Sequence, residues 1–183
     1  MQSIHLTPPI TGEEIRALKI GDTVTLSGSI LTARDAAHKR LTETIEIGNP
    51  LPVELEGRLI YYVGPTPARP GQVIGAAGPT TSGRMDVYAP VLLKQGVRGM
   101  IGKGEMGENV AEALRQYGGV YFAAVGGAGA LIAQAVKHSQ ILAYDDLGTE
   151  AIRELVVDQF TVIVAQDSHG GNLFREGRLQ WAG

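Results

Sequence analysis

The sequence predicts one α/β domain with a largely parallel sheet. Three observations carry this. Apolar strand-like runs alternate with helical patterns along nearly the whole chain. Gly, Pro or Asn punctuates most of the boundaries, in keeping with 25 glycines and 9 prolines. The 183 residues are 44% hydrophobic, enough for one packed core, with no repeat, low-complexity tract or flexible linker. A single domain over residues 1–183 is expected.

The elements follow in order. Thr11-Gly12-Glu13-Glu14 is a capping box that opens a short helix through Leu18. Gly21-Asp22 turns into an alternating strand, Thr23 to Ile30. A helix runs from Ala33 to about Ile47 and stops at Gly48-Asn49-Pro50. Arg58–Val63 is a strand, followed by a rigid loop with Pro65, Pro67 and Pro70. Val73–Ala77 is a buried strand, and Ser82 to Lys94 one helix with Met85, Tyr88 and Leu92 on one side. Gly99–Ile101 and Val120–Val125 are strands around a helix from Asn109 to Tyr117. A helix over 128–137, a short helix over Ala151–Leu155 capped by Thr149, and a strand over Phe160–Ala165 complete the pattern. His169-Gly170-Gly171-Asn172 is a tight turn, with His169 exposed. The N-terminal strands are expected to form a second small sheet.

Composition excludes several functions. The net charge is −3 and no basic patch stands out, which argues against nucleic acid. The most apolar stretch, over 119–135, is interrupted by glycines and is not a membrane span. The first residues have neither a basic region nor an apolar signal core, so a cytoplasmic location is expected. The absence of cysteine excludes a thiol nucleophile and a self-held iron–sulfur cluster. The four histidines, at 5, 38, 138 and 169, have no metal-ligand spacing.

The chemistry concentrates in Gly78-Pro79-Thr80-Thr81-Ser82-Gly83-Arg84-Met85-Asp86. A turn leading into a helix start gathers free N–H groups and a positive dipole end, which attract anions. Arg84 adds a planar two-pronged donor for a carboxylate. Arg34 likewise opens a helix, and Lys103 lies between two glycines. A cation at a helix N-terminus opposes the dipole at a cost of about 0.3–1 kcal/mol, so an anion is expected to join it. The bland alternative pairs Arg34 with Asp35 and Arg84 with Asp86. One hydroxyl of Thr81 and Ser82 is expected to be an N-cap, which leaves Thr80 without a structural role. Nearby cations favour its alkoxide. Gly126-Gly127-Ala128-Gly129 suggests a dinucleotide turn, but Ile132 replaces the third glycine, and tight packing is the better reading. His38 reads as a surface or capping residue.

Thr32 to Arg40, Gly78 to Asp86, Gly102-Lys103-Gly104 and Leu147 to Ala151 occur in the same order in class I fumarases. The chain resembles the beta subunit of two-subunit fumarate hydratases and L(+)-tartrate dehydratases, or the C-terminal domain of single-chain relatives. The resemblance implies a swivelling β/β/α fold and a hydro-lyase. It implies a [4Fe-4S] cluster held by a cysteine-containing alpha subunit, whose open iron would act as Lewis acid toward a small dicarboxylate. It assigns Thr80 as the base and Arg34, Arg84 and Lys103 as substrate-binding residues. Asp86 is expected to support Arg84 or the turn.

Malate to fumarate is the leading expectation, with tartrate to oxaloacetate as its rival. A stand-alone module for a small carboxylate or nucleotide, and a scaffold without chemistry, are the readings from other classes. A partner-binding face and self-association of the lone chain are also expected.

Overall fold

The computed structural model describes residues 4–124 and 129–181. The strands are β1 (Ile4–Leu6), β2 (Thr23–Thr32), β3 (Leu59–Tyr61), β4 (Gly99–Gly102), β5 (Val120–Ala123), β6 (Val136–Ala143) and β7 (Ile152–Gln166). The helices are α1 (Gly12–Ala17), α2 (Asp35–Glu46), α3 (Ala89–Lys94), α4 (Glu108–Tyr117), α5 (Gly129–Ala135) and α6 (Leu173–Trp181). Two 3₁₀ turns, Ser82–Met85 and Asp145–Glu150, complete the description.

One sheet holds every strand, in the order β1-β2-β3-β4-β5-β7-β6. β1 to β5 run parallel. The long β7 is antiparallel. It pairs with β2 from Thr23 to Thr32 along one edge and with β5 and β6 along the other. The β2–β7 pairing closes the ring β2-β3-β4-β5-β7 into a barrel, which leaves no open edge in that ring.

Period-two alternation sends apolar side chains to both faces of the barrel. Ile30, Leu59, Tyr61, Phe122, Leu155 and Val164 fill the interior. Leu31, Ile60, Tyr62, Met100 and Tyr121 face outward, against Leu41 of α2, Leu92 and Leu93 of α3, and Val110 and Leu114 of α4. The result is the expected β/β/α arrangement, a barrel with a helical layer on its outside.

Most elements fall where local patterns placed them, and the Thr11–Glu14 capping box is complete. The differences have physical causes. Among the described residues no second sheet forms, because β1 pairs with β2, which belongs to the barrel. Residues 73–77 are not a strand. Their backbone bonds go to Thr66 and Gly129 instead of a ladder, and Val73 is 49% exposed. The helix over 82–94 divides, since Pro90 near the start of α3 cannot donate to a preceding turn. The helix over 128–137 ends at Ala135, because Val136 onward pairs with β7. Ala151–Leu155 is not helical: Ile152 starts β7, held on both edges by β2 and β6. Tertiary pairing there overrides local pattern.

Candidate active site

The parallel strands place their carboxyl ends together, the usual location for a ligand. Arg34 lies just beyond β2, Tyr62 to Gly64 beyond β3, and Lys103 beyond β4. The segment from Pro79 to Ser82 wedges between the last two. Pro79 bridges Val63, Thr80 N–H donates to the Tyr62 carbonyl at 2.7 Å, and Lys103 N–H donates to the Thr80 carbonyl at 3.2 Å. The motif therefore extends the sheet before turning into its 3₁₀ helix.

Side chains fix this wedge. The buried Ser82 hydroxyl donates to the Tyr121 hydroxyl at 2.8 Å, and Tyr121 donates to the Gly104 carbonyl at 2.8 Å. A Cβ on Gly102 would lie 1.9 Å from the Ser82 hydroxyl, so only glycine allows this approach. Asp86 accepts from Gly107 N–H at 3.0 Å, while buried Gln166 exchanges two hydrogen bonds with the Met106 backbone. Asp86 thus holds the 103–107 loop and does not pair with Arg84. Burial raises the Asp86 pKa, opposed by the Gly107 bond. Thr81 occupies the N-cap without a side-chain bond, and the Thr80 hydroxyl has no hydrogen bond among the described residues.

Arg34 is the N-cap of α2 but contributes no capping side chain. Glu150, from the second 3₁₀ turn, does so instead by accepting from Ala36 N–H at 2.9 Å. The same carboxylate lies 3.5 Å from the Arg34 guanidinium. Asp35 lies between two arginines, 3.8 Å from Arg34 and 3.3 Å from Arg84. The guanidinium of Arg34 also rests against Gly64, where a Cβ would come within 2.6 Å of it. Arg34 makes no side-chain hydrogen bond among the described residues, and its buried Nε has only the long 3.8 Å ion pair to Asp35. Its fork therefore keeps unused donors for a carboxylate. Lys103 and Arg84 are exposed, and Lys103 has no ion pair among the described residues.

Beneath this surface lies a buried polar group. His38 is fully buried rather than a surface residue, and its Nδ1 lies 2.9 Å from the Arg34 carbonyl. Its ring meets Tyr62 edge-on at 5.2 Å. Desolvation lowers the His38 pKa to about 4, despite the Arg34 carbonyl and Asp35, so the ring is neutral near pH 7. Burial likewise raises Tyr62 well above the usual phenol range.

The contacts join all four sequence-predicted residues. Asp35 links Arg34 to Arg84, Gly64 links Arg34 to β3, and β3 and β4 frame Thr80 beside Lys103. Glu150 and Gly64 were not singled out by the sequence. Their role depends on contacts between distant segments, although Glu150 lies in one of the four family-like stretches. Of the glycine turn at 126–129, residues 126–128 lie outside the described residues. Gly129 packs against Gly78, where a Cβ would meet backbone at 3.0 Å. Among the described residues, no helix is long and apolar enough to cross a membrane.

Comparison with known proteins finds several relatives of the chain. The chain is 40% identical over 178 residues to "Putative fumarate hydratase class I" of Geobacillus stearothermophilus, covering 94% of this chain and 34% of that protein. It is 36% identical over 159 residues to "Fumarate hydratase class I, anaerobic" of Escherichia coli, covering 86% and 29%. It is 39% identical over 173 residues to "Putative L(+)-tartrate dehydratase subunit beta" of Methanocaldococcus jannaschii, covering 91% and 89%. The chain thus spans about a third of the fumarate hydratases and nearly all of the beta subunit. A family model described as "Fumarase C-terminus" matches residues 1–177. On this match and these identities, the chain belongs to the fumarase C-terminus family.

Proposed function

We propose that this chain is the substrate-binding half of a hydro-lyase that dehydrates a 2-hydroxy dicarboxylate, with (S)-malate and fumarate as the leading pair. The observation that carries this is the unused donor capacity of Arg34, Arg84 and Lys103 around Thr80, at the carboxyl ends of parallel strands. Domain 1–183 is then one half of a shared site, and the other half comes from a cysteine-containing alpha subunit. A cytoplasmic location accompanies this reading.

The [4Fe-4S] cluster implied by the family resemblance finds no ligands here. The chain has no cysteine, and among the described residues no three His, Asp or Glu side chains gather as a metal site. Cations and a hydroxyl suit a carboxylate instead. On this reading the cluster belongs to the partner.

The roles of this chain's own residues follow from charge. Arg34, held by Glu150 and Asp35, takes one carboxylate through its free fork. Arg84 and Lys103 supply further positive charge for the other end. Thr80, as alkoxide, removes the proton from the carbon adjacent to the one that bears the leaving hydroxyl. The electron pair left on that carbon spreads into its carboxylate, whose growing charge the preplaced cations stabilise without reorganising. The pair then forms the double bond as the hydroxyl leaves as hydroxide, which takes up a proton from solvent to become water while Thr80 returns its proton to solvent.

Tartrate is the second reading, supported by the end-to-end match to a beta subunit with that name. The test is anaerobic co-expression with the cysteine-bearing partner, cluster reconstitution, and assay with malate, fumarate and L-tartrate. Turnover only with both chains is expected. Turnover by this chain alone, or none from an intact complex, overturns the proposal.

A further inference from the structure

A cavity lined by Pro65 and Thr149 lies beside Gly64 and Glu150, the groups that hold Arg34. It has a volume of about 300 Å³ and sits between the loop after β3, β6, the 145–150 turn and the start of β7. Its walls differ in character. Pro65, Val73 and Ile74 make one side apolar, while Ser139, Thr149 and Arg153 make the other polar.

Arg153 has no side-chain hydrogen bond or ion pair among the described residues, and its Nε is buried without a partner. The Ser139 hydroxyl is in the same condition. Buried polar atoms are normally partnered, because leaving them bare costs free energy. Among the described residues no carboxylate lines the cavity, and Arg153 brings the only charge on its walls. The missing partner must bring its own negative charge.

We propose that this cavity binds a small monocarboxylate with a short apolar body. The carboxylate meets the Arg153 fork and the Ser139 hydroxyl, and the apolar body covers Val73 and Ile74. The volume lies at the lower end of the range for small-molecule sites. The site is separate from the Thr80 surface but touches its supports. Pro65 and Thr149 line the cavity, and their neighbours Gly64 and Glu150 are the groups that hold Arg34. Occupancy therefore bears on the position of Arg34. Binding itself is independent of the hydro-lyase reading.

The full 183-residue chain, labelled with nitrogen-15, tests this by titration with butyrate and with its neutral analogue butyramide. Saturable shifts at the backbone amides of Ser139, Thr149 and Arg153 are expected with butyrate, with smaller shifts at Arg34 and none with butyramide. Arg153→Met is expected to weaken butyrate at least about tenfold, while Arg84→Ala leaves it unchanged. Three results would overturn the proposal: no saturable shift at those amides, equal binding of butyramide, or shifts that vanish in Arg84→Ala and persist in Arg153→Met. Should Arg153→Met fail to fold, the contrast between acid and amide on the unaltered chain decides alone.

Discussion

Arg34 and Lys103 stand in equivalent places, each directly beyond a parallel strand, yet their surroundings are opposite. The Arg34 side chain is only 22% exposed and is braced by Asp35, Glu150 and Gly64. Lys103 is exposed, and its backbone alone is tied down, by Thr80 and Ser82. Arg34 is oriented before any ligand arrives, which suits a planar fork. Lys103 is a point charge that, on the proposed function, gains its partner when a carboxylate docks. The contrast teaches that this surface has a rigid end and an adaptable end, with Thr80 framed beside the adaptable one.

Thr80→Val, placed in the assembled enzyme, tests the centre of that contrast. Its hydroxyl has no hydrogen bond to lose among the described residues, so the melting temperature should hold while turnover falls by about 10²–10⁴-fold. Retained turnover would remove Thr80 from the role of base.

The rigid end should carry a pH signature. His38 lies under Arg34 with its pKa lowered by burial from 6.5 to about 4. Between those values the unfolded chain binds the extra proton and the folded chain does not, so stability rises with pH in this window. Acidification from pH 6.5 through 4 should cost roughly 3 kcal/mol from this group alone. Urea unfolding across that range, compared with His38→Gln, should show the variant losing less stability. Parallel slopes would place the histidine in an exposed or protonated state.

The smallest effects should separate the two ends. Lys103→Met should weaken dicarboxylate binding by about 1.5–3 kcal/mol and leave the melting temperature unchanged. Glu150→Gln should do the reverse in part, lowering folding stability by about 1 kcal/mol through the weakened α2 cap. Calorimetric binding and thermal unfolding of both variants check this. If Lys103→Met unfolds the chain, the adaptable end is structural after all.

Local rules sufficed where the cause is local. The capping box at Thr11 and the strands read over 23–30 and 99–101 were legible because capping and alternation act within a few residues, although each strand runs on slightly further. The Gly78–Asp86 stretch and its cations were legible for the same reason, since hydroxyls and charges at turn boundaries have few structural uses. Other features were illegible because distant segments decide them. Ala151 to Leu155 reads locally as a short helix, but from Ile152 onward β2 and β6 claim both edges of β7. His38 looked like a surface residue among charged neighbours, but helix packing turns it inward against Tyr62.

The sequence by itself determined the α/β class and the absence of any thiolate, and it picked out Thr80, Arg34, Arg84 and Lys103 as the candidate acid site. Residue type, spacing and turn chemistry set these without reference to distant segments. Only the tertiary structure decided that β7 closes the sheet into a barrel and that Glu150 caps a helix 114 residues from its own place in the chain. Those outcomes follow from which backbone and charged groups meet across the fold, and hydrogen-bond satisfaction between remote segments selects among pairings that each local stretch would permit.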